Sequence, residues 1–336
     1  MNKYLKIIIT GVITITALKS EGRISGYMFG DYYYIPQHHD TLIENQNGFW
    51  IRRIYFTYDN FISESFSSRI RFEMRSSGDF KTKQNIVPFV KDAYLKWKIK
   101  NHYIIFGLSP TPTWGNIEKY WEYRKVEKTP LDIQKLGSSR DLGIAIKGYL
   151  DKNKKIKYHL MIANGEGTKS EINKQKKFYL SFSFYPSDNL FFEIYGDFLD
   201  AEGHNQIYTY QGFMGFKNKK IKIGLLFASQ THFEEPDTSI NYMLGSGFLI
   251  FNLNPKITFI LRYDKMFEKN PKGNSISYIP LDPSTPPNIL ITGVNFKIHE
   301  NFHLIPNIEY VFYNEENGYK PLSDIYLKLT LFYKFK

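Results

Sequence analysis

The 336-residue chain contains no cysteine. That excludes a disulfide framework, cysteine-based metal sites and an N-terminal lipid anchor. Beyond the first residues it also lacks any apolar run long enough for a membrane-spanning helix. Catalytic signatures are wanting too: no G-x-S-x-G, H-E-x-x-H or P-loop is present. Asn164–Lys169 (NGEGTK) reads as a turn, not a phosphate cradle, because no helix follows it. His38, His39 and Asp40 share one long loop, which is a weak metal signal. No metal, no cofactor and no catalytic residue is therefore expected.

What the chain has in abundance is aromatic and basic. It carries 26 Tyr, 28 Phe and a formal net charge of +11. Aromatic richness favours strands over helices, and the length suits one large all-β domain or two ordinary ones. Residues 1–20 look like an export signal, with Lys3 and Lys6 before the apolar Ile7–Leu18 and Ser20 as the best cleavage position. Residues 21–336 then form the mature domain. Its basic balance raises the question of nucleic acid. The lysines fall largely in short turns and loops, however, where they suit lipid head groups, so no nucleic-acid partner is expected.

The residues from 21 onward repeat one pattern. In Phe66–Arg75 the even positions are Phe66, Ser68, Ile70, Phe72 and Met74, and the odd ones are Ser67, Arg69, Arg71, Glu73 and Arg75. Alternation of this kind separates the two faces of a sheet. Sixteen such runs can be counted, beginning near Arg23, Phe49, Phe66, Phe89, His102, Asp141, Ile156, Lys177, Leu190, Gln206, Lys220, Ser239, Lys256, Ile289, Phe302 and Ile325. Most have the length that crosses an outer membrane at barrel tilt. Short links alternate with long ones, which predicts an all-β, 16-stranded antiparallel transmembrane up-and-down barrel with both termini at the short-turn end.

Lipid decides which face points out. An Arg or Lys at the bilayer midplane costs about 2–4 kcal/mol, so the alternating charges must face the lumen. Arg69, Arg71, Arg75, Lys96, Lys98, Lys147, Lys157 and Arg262 are thus predicted to point inward, with Glu73 and Asp92 beside them. Trp50, Tyr58, Trp97, Tyr263 and Tyr333 are assigned to the aromatic girdles. The longest connection, Gly107–Gly143, holds three prolines and two tryptophans without alternation of its own. A loop of that kind is usually functional or disordered, and an inward fold that narrows the pore over about 109–140 is expected. Tyr123, Arg124, Lys125, Lys128 and Arg140 are its candidate constriction residues. Acidic residues among them make the loop nearly balanced, so anion preference has to come mainly from the wall.

Several stretches, IRRIYFTYD (Ile51–Asp59), VKDAYLKW (Val90–Trp97), GLSPTPTW (Gly107–Trp114), YWEYRKVEKTPLD (Tyr120–Asp132), SSRDLGIAIKG (Ser138–Gly148) and ANGEG (Ala163–Gly167), resemble bacterial outer-membrane porins of the phosphate-selective porin O/P-like group. RYDKMF (Arg262–Phe267) and IPNIEY (Ile305–Tyr310) extend the likeness, which is densest from Ile51 to Gly167. The resemblance implies a trimeric barrel in the outer-membrane lipid whose third long loop, here Gly107–Gly143, forms the constriction. The leading expectation is passive diffusion of small hydrophilic solutes, with mild anion preference from Arg and Lys on the wall and loop. Uptake of phosphate or another oxyanion at a lumenal site is an alternative. An outer-membrane enzyme or a closed structural barrel are further ones. On the wall, an internal Arg–carboxylate network through Glu73, Asp92, Glu193 and Asp197 competes with an anion path. In the loop, Arg140 and Asp141 are read as pins.

Overall fold

A computed structural model describes residues 21–201, 205–234 and 238–335. The expected export signal and Lys336 lie outside the described residues. Sixteen strands follow in order: β1 Glu21–Gln37, β2 Asn47–Phe61, β3 Phe66–Arg75, β4 Val87–Ile99, β5 His102–Pro110, β6 Arg140–Tyr149, β7 Ile156–Ala163 and β8 Lys176–Phe184. The second half runs β9 Leu190–Asp200, β10 Ile207–Lys217, β11 Ile221–Glu234, β12 Thr238–Asn254, β13 Ile257–Met266, β14 Pro287–His299, β15 Phe302–Tyr313 and β16 Asp324–Phe335. Every start lies within two residues of the one expected from alternation. Each strand pairs antiparallel with its neighbours in sequence, and β1 pairs with β16 from Gly26↔Phe335 to Gln37↔Ile325. The sheet closes, so no edge is left unpaired.

Burial is inverted relative to a water-soluble protein. Along β8 the buried residues are Lys177, Tyr179, Ser181 and Ser183, while Phe178, Leu180, Phe182 and Phe184 are exposed. Glu73, Asp92, Glu309 and Thr330 are fully buried, whereas Ile144, Ile162, Ile194 and Phe227 are at least half exposed. An exterior of this kind is stable only against an apolar medium. Tyr58, Trp97, Tyr263 and Tyr333 stand on that exposed side. Trp50 does not. It stacks on Tyr33 at 4.1 Å and donates its Nε1–H to Asp31 at 2.7 Å, on the inner face.

Two β-bulges shape the basic part of the wall. Between β1 and β2 the register steps from Phe29↔Arg53 to Gly30↔Ile51, leaving Arg52 as the extra residue. Between β3 and β4 it steps from Arg71↔Asp92 to Phe72↔Val90, leaving Lys91 extra. A bulge breaks strict alternation, so Arg52 and Arg53, and likewise Lys91 and Asp92, both make inner-face contacts. Gly30 permits the first bulge, because a Cβ there would collide with the Trp50 carbonyl oxygen.

Candidate functional site

The connection from β5 to β6, residues 111–139, has structure of its own. Helix α1 (Gly115–Trp121) buries Ile117, Tyr120 and Trp121, a spacing of three and four that puts all three on one helical face. It ends at Glu122, whose φ of +55° is left-handed. The short helix α2 (Pro130–Ile133) starts with proline at its first position, where no amide hydrogen is needed.

Side chains from around the barrel hold this segment. Asn116 donates to Glu193 of β9 at 2.6 Å. Gln211 of β10 donates to the Thr113 carbonyl at 2.8 Å, and Gln230 of β11 to that of Leu136 at 3.0 Å. Arg262 of β13 donates to the Lys128 carbonyl at 2.5 Å, lies 4.9 Å from the Trp121 ring and is fixed by Asp264. Asn295 of β14 donates to the Tyr123 hydroxyl at 3.3 Å. Lys328 of β16 lies 4.0 Å from Glu127. Arg52 of β2 donates to the carbonyls of Lys125 and Val126, and pairs with Asp31 at 2.7 Å. Burial alone would raise the Glu127 carboxyl. Lys128, Lys328 and Arg52 instead hold it well below the usual carboxylate range.

A second connection packs against the first. In residues 267–286 the side chains of Ile276, Tyr278, Ile279 and Leu281 are buried. Asn270 donates to the Gln134 carbonyl, and Lys135 and Lys128 donate to the carbonyls of Ser275 and Ser277. Tyr278 has a φ of +74° and donates its hydroxyl to the Ser76 carbonyl at 2.7 Å. Both connections join one apolar cluster with inward residues of the wall, among them Phe191, Phe213, Leu226, Phe248, Ile260 and Ile291.

Two cavities adjoin residues 111–139. The smaller, about 210 Å³, is lined by Arg53, Arg71, Arg75 and Lys91 from β2–β4, and by Arg124, Lys128, Lys135 and Arg140 from residues 111–139 and the start of β6. Its lining carboxylates are Glu118 and Asp132. Two further carboxylates sit buried beside these bases. Glu73 pairs with Arg53 at 3.3 Å and Lys91 at 3.1 Å. Asp92 pairs with Arg71 at 3.4 Å and with Arg140. Each thus serves two cations, and Arg75 has no carboxylate partner among the described residues. Arg124 pairs with Asp132 at 3.3 Å. Burial pulls the Lys128 ammonium down to about 8, against the opposing effect of Glu127 and Asp132.

The larger cavity, about 580 Å³, shares Glu118, Ser139 and Arg140 with the smaller one and continues toward the short turns. Arg69, Lys147 and Lys157 line it together with Tyr94, Tyr103 and His159. Arg69 is tied to Asp59 by two hydrogen bonds of 2.6 and 2.9 Å. Lys147 has no ion-pair partner among the described residues. Lys96 stands 5.6 Å from the Tyr103 ring centre. Tyr123 and Lys125 do not join either cavity. Lys125 is packed between the rings of Tyr123 and Phe332 at 4.8 and 4.7 Å, and burial lowers its ammonium to about 8. Asp141 accepts from the Tyr179 hydroxyl at 2.6 Å and the Gly165 amide at 2.8 Å.

His38 and His39 meet Asp324, not Asp40, through their side chains, within 4.8 Å. His38 Nδ1 accepts the Asp40 amide at 2.9 Å, so its Nε2 carries the proton toward the Tyr326 hydroxyl. His39 Nδ1 faces Asp324 at 2.9 Å. These bonds occupy the lone pairs that a metal would need on His38 and fasten the first loop to β16.

No family model matches the sequence, and no curated protein does either. Solved structures do. OmpT of Vibrio cholerae lacking loop L8, an outer-membrane protein, aligns with a TM-score of 0.66 at 12% identity, over 94% of this chain and 99% of that one. An anion-selective porin from Comamonas acidovorans gives 0.65 at 11% identity, over 94% and 100%. OmpF of Salmonella typhi, in complex with daunomycin, gives 0.64 at 10% identity, over 94% and 97%. The chain has a porin-like fold.

Within that porin-like barrel, alternation alone overlooks three features of the site. Arg52 with Arg53, and Lys91, were absent from the expected inward set; each adjoins another charged residue, and a regular strand would turn one of each pair into lipid. The adjacency is itself the signal for a bulge. The second packed connection was also overlooked. Its signal is the apolar stretch Ile276–Leu281 inside an otherwise polar loop.

Proposed function

We propose that this chain is a passive channel of the bacterial outer membrane, exported behind residues 1–20 and assembled as a homotrimer. Small hydrophilic solutes diffuse through it, anions in preference to cations. The apolar exterior supports the membrane placement, and one similar structure, OmpT of Vibrio cholerae, is described in a trimer form. Residues 111–139 act as the inward-folded constriction, with residues 267–286 bracing them from behind. This reading rests on hydrogen bonds to that segment from β2, β9–β11, β13 and β14, which span the barrel.

One observation carries the anion preference: eight basic side chains and two carboxylates line the 210 Å³ cavity. Guanidinium and ammonium groups replace the hydration of an anion with charge-assisted hydrogen bonds while repelling cations. We read the path as passage, not turnover, because guanidinium and ammonium groups dominate its lining. In planar bilayers under a KCl gradient the reversal potential should show chloride more permeant than potassium. Cation preference would sink the proposal, and absence of single-channel steps would leave a closed structural barrel instead.

The compactness of the smaller cavity favours one second reading, a selective path for phosphate or another oxyanion, as in the phosphate-selective porin group. Block of the chloride current by low concentrations of phosphate would support it. Unaltered current would leave simple field selectivity.

A further inference from the structure

The 580 Å³ cavity has two kinds of lining. Five bases border it, Arg69, Lys119, Arg140, Lys147 and Lys157, against one carboxylate, Glu118. So do the rings of Tyr94, Tyr103 and Trp114, with Pro110 and Pro112. Strand register brings the two kinds together. Tyr103 of β5 pairs with Lys147 of β6, and Lys147 with His159 of β7. Neighbouring strands lie about 4.8 Å apart, so a phenol and an imidazole flank one ammonium on the inner face. Tyr94 and Tyr103 pack against a buried cluster of that face, including Ile105, Ala145 and Met161. Three of the bases are already engaged. Arg69 is tied to Asp59 and Arg140 to Asp92, while Lys157 donates to the Tyr185 hydroxyl at 3.1 Å. Lys147 makes neither an ion pair nor a hydrogen bond among the described residues. The main charges acting on it, Arg69, Lys96, Lys119 and Arg140, are all positive.

We propose that this cavity binds an aromatic carboxylate, with the carboxylate at Lys147 and the ring against Tyr103 and Tyr94. The inference names a solute class for the anion path proposed above and rests on that reading. An unpaired ammonium among other bases lacks a counter-ion, and a carboxylate supplies one through charge-assisted hydrogen bonds. The tyrosines beside it offer an aromatic solute offset or edge contacts, which an ion without apolar surface cannot use. Inorganic phosphate would leave Tyr94, Tyr103, Trp114 and the two prolines facing water. Size agrees, since cavities of roughly 300–1,000 Å³ hold organic ligands and a bare oxyanion needs far less room.

The test is titration calorimetry of the full chain folded in detergent, with benzoate, acetate, glucuronate and inorganic phosphate, each corrected for protein-free micelles. Benzoate should bind about tenfold more tightly than acetate. Tyr103→Leu and Tyr94→Leu, checked as folded by their heat-dependent shift on a gel, should each narrow that gap by weakening benzoate and leaving acetate unchanged. Lys147→Gln should weaken benzoate and acetate alike. Equal affinity of the unaltered protein for benzoate and acetate, or tighter binding of glucuronate or phosphate than of benzoate, would overturn the site. So would an undiminished benzoate preference in both tyrosine variants, or full acetate affinity in Lys147→Gln. The same preparation is then placed in planar bilayers. A channel that prefers chloride to potassium yet binds benzoate and acetate alike fails only this inference. One that prefers potassium fails the anion path beneath it.

Discussion

Two residues show how single side chains set the lumen. Arg52 is 3% exposed and satisfies Asp31, Glu127 and two loop carbonyls at once. Removing one partner of a buried ion pair strands the others, at a cost of about 3–5 kcal/mol. Arg52→Ala should therefore lower the thermal unfolding midpoint and add open-channel noise as residues 125–127 come loose, and single-channel recording alongside a melting curve checks both. Lys128 acts through its charge. Its ammonium, lowered by burial from the usual 10.5 to about 8, faces Glu127, Asp132, Arg124 and Arg53. It is charged at pH 7 and mostly neutral by pH 9, so the positive charge of the smaller cavity falls over that interval. The chloride-to-potassium permeability ratio should fall with it. Lys128→Gln should flatten the pH dependence. Lys125→Gln should not, because Lys125 lies outside the cavity although it titrates in the same range. Equal flattening by both variants would refute the assignment.

At the scale of elements, the strands were the legible part. Ser67, Arg69, Arg71 and Glu73 alternate with Phe66, Ile70 and Phe72 because lipid and lumen impose opposite demands on neighbouring residues, and that contrast survives in a single sequence. The bulges were less legible because a bulge is a relation between two strands. Arg52-Arg53 and Lys91-Asp92 betray it only once one asks where the second charge can go. Least legible was the inner wall of β9–β15, where Phe213, Leu226 and Phe248 face inward against Trp121 and its neighbours. A polar lumen is the general expectation, and nothing in those strands says that a loop will cover them. The first bulge can be tested directly. Gly30→Val would drive a side chain into the Trp50 carbonyl, costing about 1–3 kcal/mol. It should lower the temperature at which the folded band disappears on a gel. It should also weaken anion preference, because the bulge is what lets Arg52 and Arg53 both face inward. A variant as stable and as selective as the parent would show that the bulge is incidental.

The whole barrel is thus divided lengthwise. On the proposed reading one side of its interior is filled, with residues 111–139 and 267–286 packed on apolar wall, and solutes pass along β2–β7 beside the basic residues. Along that path the charges sit in two settings. In the 580 Å³ cavity, Lys147 and Lys157 line the wider space. In the 210 Å³ cavity, Arg71, Arg75 and Arg124 line a narrower space, where a passing anion would touch them on the proposed reading. Salt separates the two contributions, because screening shortens from about 10 Å at 0.1 M to about 3 Å at 1 M. Raising KCl over that range should erase the part of the anion preference that comes from Lys147 and Lys157. The part from direct contact with the arginines should persist. R71Q/R75Q should therefore be less anion-selective than the parent at 1 M as well as at 0.1 M, whereas K147Q/K157Q should behave like the parent at 1 M and differ from it at 0.1 M. Reversal potentials at the two salt concentrations decide between them, and a parent whose selectivity vanishes at 1 M would mean that passing ions never touch the arginines.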